Sequence, residues 1–310
     1  MLMRWLFFLL ILTSVRPGLA FDDNTFKVMS FNIWHGGNSG GQPLSQTANA
    51  MKLADVVGLQ ETHYDKSDSS VRLAKQLGWY HFQQGGRTAV VSRFPITGHT
   101  PNKWGVYIQL NEESQVCFFN CHLAAHPYQP YQLLKIPYGD APFITTESEA
   151  IRWAEKSRGA ALQRMLVEVA EVQARRIPCI ITGDFNEPSH LDWTQRSKIA
   201  GIHPIKVQYP ASKAIESLDF KDCYRSQHPD EVKSPGLTWT PITLSNDRKD
   251  HHDRIDFVYA SQSGLTVQQC EVVGESDLNA GIVISPWPSD HRAVLATLQI
   301  VKSSRADPAE

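Results

Sequence analysis

Residues 177–186 read IPCIITGDFN, a short apolar run that ends in the polar side chains of Asp184 and Asn186. An apolar run of this length, bounded by turn residues, predicts a buried β-strand. Residues 147–175 precede it and carry apolar side chains at helical intervals, which predicts the main helix. Shorter strand and helix patterns alternate along the rest of the chain, with no repeat or linker between them. This alternation predicts an α/β fold.

Five other segments share the form of residues 177–186, in which a hydrophobic strand ends in one or two polar residues able to bind a metal ion or a phosphate. They are Ser30-Phe31-Asn32, Leu59-Gln60-Glu61, Asn120-Cys121-His122, Arg254-Ile255-Asp256-Phe257 and Ser289-Asp290-His291. Any one of them is a weak signal, because Asp and Asn also cap ordinary turns. Six of them along one chain favour a common site.

The composition is that of a soluble globular protein. The 310 residues are 42% hydrophobic and 20% charged, and 30 Lys and Arg against 32 Asp and Glu leave a formal net charge of −2. With 19 Gly and 18 Pro spread along the chain, collagen-like, coiled-coil and disordered classes are excluded. This near-neutral total is not typical of sequence-independent nucleic-acid binders, although it is compatible with a local basic patch. Nucleic acid is therefore neither required nor excluded.

The first 20 residues have the pattern of a secretory signal peptide. Arg4 precedes an apolar run at residues 5–12, and Gly18 and Ala20 supply small residues before a cut. The run is far shorter than the roughly 20 apolar residues that span a bilayer, and no later segment reaches that length. We therefore expect cleavage near Ala20 and an exported protein, periplasmic or secreted, without a stable membrane span. The expected units are the signal peptide 1–20, one domain at 21–302 and a polar tail at 303–310.

Export would permit disulfides, so the five cysteines need an interpretation. Cys117 and Cys121 lie on one predicted strand, where a separation of four residues spans about 13 Å and exceeds disulfide reach. Cys179 is expected in the core, whereas Cys223 and Cys270 could pair, a question that the sequence leaves open. The sequence contains no CxxC or Cys/His zinc pattern, which argues against a thiolate metal site.

The six segments, taken together in the order in which they occur along the chain, resemble those of the endonuclease/exonuclease/phosphatase superfamily. Its members include DNase I-like nucleases, abasic-site nucleases, bacterial sphingomyelinases and inositol polyphosphate 5-phosphatases. The resemblance covers residues 26–301, nearly the whole mature chain. It implies a DNase I-like fold, an α/β/β/α sandwich of four layers in which two packed mixed sheets are flanked by helices. It also implies an exported bacterial-type phosphoester hydrolase.

The chemistry of phosphodiester hydrolysis independently supports one shared site. The anion repels a nucleophile and an alkoxide leaves poorly, so an enzyme needs a divalent cation, a group that orients water, and donors to the equatorial oxygens. Asn32, Glu61 and Asp290 are hard oxygen ligands of the kind that Mg²⁺ prefers. We predict that these three residues bind the metal, Mg²⁺ or Mn²⁺. A buried structural carboxylate is the alternative for Glu61.

The resemblance also implies catalytic roles at the ends of the later strands. Asp184 would orient or deprotonate the attacking water and the amide of Asn186 would hold it, with ordinary turn capping as the alternative for both. His291 would pair with Asp256, which would fix its tautomer and favour its charged form. Asp253, three residues before Asp256, is a competing partner.

His122 is the second predicted donor to the transition state. In DNase I-like enzymes the matching histidine pairs with a Glu from a strand between the second and third motifs. Residues 69–111 of this chain contain no Asp or Glu. This departure predicts a weaker charged form for His122 and makes sphingomyelinase-like or phosphatase-like relatives a better match. A structural histidine is the alternative.

Residues 124–146, which we call the insertion, are the least family-like part of the chain. They interleave His126 and aromatic side chains with four prolines; the aromatics are Tyr128, Tyr131, Tyr138 and Phe143. Such a loop beside a site could stack bases, grip a lipid interface or cover a small substrate, or it could be pinned over the core by its own aromatics. Trp239 likewise could face substrate or belong to the core.

The function that these observations favour is hydrolysis of a phosphodiester by a metal- and Asp-activated water, in a monomeric protein. The substrate could be a small molecule, a lipid head group or nucleic acid. The alternatives are a nuclease acting on DNA or RNA, a sphingomyelinase-like lipid phosphodiesterase and a phosphomonoesterase. A non-catalytic scaffold is disfavoured because such a protein is expected to have lost ligands, and the predicted set is complete. The leaving group and the number of metal ions are left open.

Overall fold

The computed structural model of the chain describes residues 24–64 and 67–301, so the predicted signal peptide and the tail at 303–310 lie outside it. Its strands are β1 (Thr25–Asn32), β2 (Val56–Gln60), β3 (His63–Tyr64), β4 (Ser67–Asp68), β5 (Tyr80–Gly85), β6 (Thr88–Ser92), β7 (Ile96–His99), β8 (Gly105–Gln109), β9 (Gln115–His122), β10 (Cys179–Asp184), β11 (Phe220–Asp222), β12 (Asp256–Ser261), β13 (Leu265–Gly274), β14 (Ile282–Val283) and β15 (Ala293–Ile300). Its helices are α1 (Trp34–Gly37), α2 (Leu44–Met51), α3 (Ser69–Leu77), α4 (Gln129–Leu134), α5 (Glu147–Ala154), α6 (Ala160–Ala174), α7 (Gln195–Ile199), α8 (Pro210–Glu216) and α9 (Cys223–Gln227). None of the helices among these residues is long and apolar enough to cross a membrane.

The strands form two large mixed sheets. One has seven strands in the order β14-β13-β15-β1-β2-β6-β5, and the other has six in the order β11-β12-β10-β9-β8-β7. Each contains a parallel pair in its interior, β1 with β2 and β9 with β10, next to antiparallel neighbours. The expected sandwich of two mixed sheets flanked by helices is confirmed.

Successive side chains of a strand point to opposite faces of its sheet. The apolar side chains therefore form one layer between the two sheets and one layer on the outer face of each sheet. Val28 of β1 and Ile180 of β10 belong to one buried cluster between the sheets. Met29 packs with the apolar side chains of α2 and α3 on the outer face of the larger sheet. Ile181 packs with those of α6 on the outer face of the smaller sheet. Strands buried on both faces explain the continuous apolar runs in the sequence.

Register brings the predicted site residues to one edge of each sheet. Asn32 pairs with Gln60 at the ends of parallel β1 and β2, and Asp184 pairs with His122 at the ends of β9 and β10. The antiparallel strands β12 and β15 begin at the same edges, so Asp256 lies opposite Asp184 and the segment before Ala293 lies beside β1. Six segments that are far apart in sequence therefore reach the same region.

A polar contact joins the two sheets below this region. The Asn120 amide donates to the Leu59 carbonyl (3.0 Å), and its oxygen accepts from Gln60 Nε2 (2.6 Å) and Thr182 Oγ1 (3.1 Å). Gly58 permits this approach, because a Cβ at that position would lie 2.3 Å from Thr182 Oγ1. Asn120 and Gln60, which the sequence groups with possible ligands, therefore hold the sheets together.

Two parts of the chain differ from simple expectation. The insertion contains helix α4, and the long helix predicted at 147–175 is interrupted by a π-helical turn at Glu155–Gly159 between α5 and α6. All five cysteines are buried free thiols, so Cys223 and Cys270 are not paired.

Arg158, in the π-helical turn, is buried and fixes the start of the insertion. Its guanidinium donates to Gln129 Oε1 (2.6 Å) and to the Pro127 carbonyl (2.9 Å), and it lies 3.9 Å from the Glu187 carboxylate. Burial raises the pKa of Glu187 to about 7, while the charge of Arg158 opposes that shift. The insertion is thus attached to the main helix by a buried cation.

Arg158→Leu should therefore lower the free energy of unfolding by about 3–5 kcal/mol, because it leaves Glu187 and two acceptors without their buried partner. Urea unfolding followed by far-UV circular dichroism measures this change. Arg164→Leu, at an exposed position of α6, is the matched control and should change stability by less than about 0.5 kcal/mol. Equal effects of the two substitutions would contradict the structural role of Arg158.

Candidate active site

A cavity of about 560 Å³ opens at the strand ends where the sheets meet. Six of the eight predicted site residues line it: Glu61, His122, Asp184, Asn186, Asp290 and His291. The other two, Asn32 and Asp256, are fully buried and hydrogen-bond to lining residues, Asn32 to Asp184 and Asp256 to His291. The structure therefore brings all eight residues together.

Asp184 is the centre of this arrangement. One carboxylate oxygen accepts from Asn32 Nδ2 (2.9 Å) and lies 3.4 Å from His122 Nε2, and the other accepts from the Asn186 backbone N–H (2.9 Å). Burial alone would raise the pKa of Asp184, but the charges of His291 and His122 outweigh it and hold the pKa at about 2. Asp184 is thus an oriented carboxylate at every pH at which the protein would work.

His291 is held by Asp256. Its Nδ1 lies 2.9 Å from Asp256 Oδ2, which leaves Nε2 on the side of Asp184, 3.8 Å from the nearer carboxylate oxygen. Burial lowers the pKa of His291, but the charges of Asp256 and Asp184 raise it to about 10. Asp253 is occupied elsewhere, accepting from Tyr128 Oη (2.7 Å) and Trp193 Nε1 (2.9 Å). Of the two partners considered from the sequence, the structure selects Asp256.

The partner of His122 was missed by sequence reasoning. Its Nε2 lies 3.4 Å from Asp184 and 4.0 Å from Glu61 Oε1, so two residues already assigned to the site supply the negative charge. Burial lowers the pKa of His122, but the hydrogen bond and charge of Asp184 raise it above its ordinary value. The expectation of a weaker charged form for His122 was wrong, because the carboxylate comes from the neighbouring strand β10.

Asn186 lines the cavity and is held in place by two hydrogen bonds. Its φ is +48°, and its side-chain Nδ2 donates to the Leu123 carbonyl (3.1 Å) while its backbone N–H bonds to Asp184. One amide hydrogen and the side-chain oxygen stay free of these contacts. The position suits the predicted role of holding water, which stays a prediction.

The predicted metal ligands Asn32, Glu61 and Asp290 lie at or near the ends of strands of the seven-stranded sheet. Ser289 Oγ donates to the Asn32 backbone carbonyl (2.7 Å), which fixes Asp290 beside β1. Asn32 Oδ1 accepts only a 3.1 Å bond from the Trp34 N–H among the described contacts, and Glu61 Oε2 accepts from the His35 N–H (3.0 Å). Amide and carboxylate oxygens of this kind fit a hard divalent cation.

Charge at Asp290 supports that fit. Burial raises the pKa of Asp290 to about 6, the charge of Glu61 adds to this shift, and His291 opposes it. Asp290 forms no ion pair with a Lys or Arg among the described residues, and a divalent cation would relieve the repulsion between its carboxylate and that of Glu61. A second donor set, Asp184, Asp256 and His291, has one atom of each within 4.8 Å of the others. Because His291 Nδ1 is already bonded to Asp256, this set is better described as a hydrogen-bonded chain.

Several cavity residues were not predicted from the sequence. Arg87, in the turn between β5 and β6, lies 3.5 Å from Glu61, and Trp34 and His35 of α1 complete that wall. The Gly85-Gly86-Arg87 turn between two strand patterns was the available signal for Arg87. From the insertion, Tyr128, Tyr131 and Tyr138 also line the cavity, and Trp239 lies beside Tyr131.

The insertion was predicted either to contact substrate or to be pinned over the core, and different residues of it fit each alternative. Tyr128 is buried and hydrogen-bonded to Asp253, as expected of an aromatic that pins a loop to the core. Tyr138 and Phe143 are 42% and 51% exposed, and of these two only Tyr138 lines the cavity. Trp239 is half-buried, and its ring centroid lies 4.9 Å from that of His291.

Known proteins share this sequence pattern and fold. The Endonuclease/Exonuclease/phosphatase family model matches residues 29–291. The uncharacterized protein F14F9.5 of Caenorhabditis elegans is 27% identical over 323 aligned residues, covering 96% of this chain and 98% of that protein.

Solved structures show the same fold at low identity. The 3′ phosphatase NExo from Neisseria, bound to a product DNA hairpin, has a TM-score of 0.52 and 17% identity and covers 87% of this chain and 98% of its own. Truncated TDP2 from Caenorhabditis elegans gives 0.51 and 17%, with coverages of 89% and 97%. The human Nocturnin catalytic domain with bound sulfate gives 0.51 and 17%, with coverages of 89% and 95%.

The family match covers strands of both sheets and every predicted site segment, from within β1 to His291. It confirms the family resemblance, while export and a bacterial-type origin stay predictions. The chain belongs to the Endonuclease/Exonuclease/phosphatase family and is a phosphoester hydrolase.

Proposed function

We propose that this chain is an exported phosphodiesterase that uses Mg²⁺ or Mn²⁺ and an Asp184-activated water. The observation that carries the proposal is the position of Asp184, one oxygen of which lies 3.4 Å from His122 Nε2 and 3.8 Å from His291 Nε2, in the cavity that the predicted ligands Glu61 and Asp290 also line. Export rests on residues 1–20 alone, and N-terminal sequencing of the processed protein tests it. An N-terminus still at Met1 would overturn that part of the proposal.

Each group has a chemical task. Asn32, Glu61 and Asp290 would hold the divalent cation, which when bound neutralises phosphate charge. Asp184, ionised and fixed by Asn32 and the Asn186 N–H, orients the attacking water and accepts its proton. His291, protonated by virtue of Asp256, donates to a phosphate oxygen as negative charge develops.

The charge of the cavity favours a diester over a monoester or a polymer. Arg87 is the one Lys or Arg among the described residues that line the cavity. A diester carries a single negative charge, whereas a monoester dianion or a nucleic-acid backbone generally engages several cations. A phosphomonoesterase or a nuclease is therefore the second choice.

The deciding experiment assays the purified chain with Mg²⁺ against DNA, RNA, sphingomyelin, bis-p-nitrophenyl phosphate and a monoester. We expect hydrolysis of the small diester that EDTA abolishes and Mg²⁺ or Mn²⁺ restores. Full activity in EDTA would overturn the metal requirement. Faster hydrolysis of the monoester than of any diester would overturn the phosphodiesterase assignment.

Glu61→Gln should weaken the affinity for Mg²⁺ by about 10- to 100-fold or more, since changes even outside the direct ligands of metal sites cost that much. The Mg²⁺ dependence of kcat/KM measures the shift. Glu112→Gln makes the same chemical change at an exposed turn before the first residue of β9, whereas His122 is the last residue of that strand. It should leave the Mg²⁺ dependence unchanged. An unaltered Mg²⁺ dependence in Glu61→Gln would refute the ligand assignment.

Binding of DNA should be weak and should depend little on salt. A protein that neutralises several phosphates releases counterions, so its affinity falls steeply as salt rises, by roughly 10³-fold or more from 50 to 200 mM for six to ten contacts. Among the described residues that line the cavity, the cationic groups are Arg87 and the charged histidines His122 and His291, a set that fits one phosphate and supports only a shallow slope. A gel-shift titration measures it, and tight, strongly salt-sensitive binding would reverse the order of substrates.

A further inference from the structure

The wall of the cavity built by the insertion differs in chemistry from the catalytic floor. The floor is made of carboxylates, amides and histidines, whereas Tyr131, Tyr138 and Trp239 supply aromatic rings on one side. These rings come from the loops that follow β9 and precede β12, both in the six-stranded sheet. Trp34, His35 and Arg87 come from segments next to strands of the seven-stranded sheet, α1 after β1 and the turn between β5 and β6. There one indole lies with an imidazole and a guanidinium, so the cavity lining is richest in tyrosine and tryptophan rings where the insertion and Trp239 contribute.

The polar atoms of Tyr131 and Trp239 are hydrogen-bonded within the protein. Tyr131 Oη donates to Asp250 Oδ1, and Trp239 Nε1 donates to the same oxygen (3.2 Å). One carboxylate therefore fixes two rings and uses their strongest hydrogen-bond donors. What these two rings present to a ligand is mainly aromatic surface, which favours a flat, apolar group over one rich in hydroxyls.

The wall is also held in a fixed relation to the catalytic groups. Tyr128, buried and bonded to Asp253, packs edge-to-face on Tyr131 at 4.9 Å, and Tyr131 packs edge-to-face with Tyr138 at 5.8 Å. The backbone of Trp239 forms bridges to Asp253 and to His291. A ring seated on this wall would therefore lie beside the donor to the phosphate, a preorganised arrangement that reduces the entropic cost of binding.

Size and charge restrict the ligand further. A volume of about 560 Å³ is that of a small-molecule site. Arg87, the one Arg or Lys among the described lining residues, and the charged His122 and His291 match one phosphate group. Aromatic side chains stack on nucleobases of any sequence, because every base has a π-face.

We propose that Tyr131, Tyr138 and Trp239 form a subsite for the base of a nucleotide-sized phosphodiester. The inference rests on the proposed phosphodiesterase function and names its substrate class: a small diester in which one ester group is a nucleoside.

The first test is binding. Uridine 5′-monophosphate and ribose 5-phosphate differ only in the base, and isothermal titration with Mg²⁺ gives both Kd values. We expect the nucleotide to bind roughly 10-fold tighter or better, and Tyr138→Ala to reduce that ratio by roughly 5-fold or more. Phe143→Ala is the matched control, because it removes an aromatic of similar exposure from the same insertion but outside the cavity, and it should leave the ratio unchanged.

The second test is turnover of the methyl esters of the same two phosphates, which carry no aromatic leaving group, followed by ³¹P NMR. We expect kcat/KM to favour the nucleotide ester by a similar factor, and Tyr138→Ala to reduce the preference. Hydrolysis of both esters at equal rates, with equal Kd values, would overturn the subsite and leave the phosphodiesterase function standing. If neither ester were hydrolysed while the base still tightened binding through Tyr138, the subsite would stand and the proposed function would fail. Loss of the ratio in Phe143→Ala as well as in Tyr138→Ala would overturn the assignment of the subsite to the cavity wall.

Discussion

His291→Ala is expected to lower kcat/KM for a small diester by about 10²- to 10³-fold at saturating Mg²⁺, the range found when one preorganised donor to a developing oxyanion is removed. The structural reason is the buried contact of His291 Nδ1 with Asp256 Oδ2 at 2.9 Å, which fixes the ring and keeps it protonated. Steady-state kinetics on one diester measures the loss, with circular dichroism to verify the fold.

Two aspartate variants separate the role of the His291 pair from general damage to the region. Asp256→Asn should resemble His291→Ala, because it removes the charge that holds the imidazole. Asp253→Asn should act mainly on stability, since Asp253 accepts from Tyr128 and Trp193 and has no contact with His291 in the described structure. A harmless Asp256→Asn beside a catalytically severe Asp253→Asn would contradict the pairing.

His122→Ala should cost less than His291→Ala. His122 has carboxylate neighbours, but its nearest contact is 3.4 Å and its side chain is 18% exposed, against 2.9 Å and 5% for His291. The less constrained ring is expected to lose less transition-state stabilisation when it is removed. A larger loss in His122→Ala than in His291→Ala would identify His122 as the principal donor.

Most of the fold and most of the candidate site could be predicted because both depend on local pattern. An apolar run such as residues 177–186 fixes a buried strand, and the polar residue that ends it must emerge at a sheet edge. Repetition of that form placed Asn32, Glu61, Asp184 and Asp290 in one site without knowledge of any contact. The family match to residues 29–291 confirms that interpretation of the fold.

Interactions across sheets could not be predicted in the same way. The neighbour of His122 is Asp184, which lies 62 residues later in sequence and directly opposite His122 in the parallel pairing of β9 and β10. The family pattern predicts an additional acid for His122, whereas in the structure the carboxylate of Asp184 lies close to both His122 and His291. The insertion posed the same difficulty, since only tertiary contacts show that Tyr128 is buried against Asp253 and that Tyr131 bonds to Asp250, while Tyr138 stays 42% exposed at the cavity.

Asp184→Asn should have the largest effect on turnover, because the single carboxylate serves both histidines. We expect kcat to fall by about 10²- to 10⁴-fold, the contribution of a general base. If the side-chain oxygen of the new asparagine accepts from the Asn186 N–H, its NH₂ group faces Asn32 Nδ2, so that two donors meet. In either orientation of the amide, the negative charge beside His122 and His291 is lost. Asp277→Asn, at an exposed position, is the matched control and should be fully active.

Stability supplies an independent check on the charge of Asp184. The folded-state pKa of about 2 lies below the ordinary value of 3.8, so ionised Asp184 stabilises the fold above pH 3.8, and this contribution is lost as the pH falls toward 2. The Tm deficit of Asp184→Asn relative to the unmodified chain should therefore be largest near neutral pH and should shrink below pH 3.8. A variant that retained more than about a tenth of the original kcat would show that Asp184 is not the base. A Tm deficit that did not change with pH would show that Asp184 is not the charge that holds the two histidines.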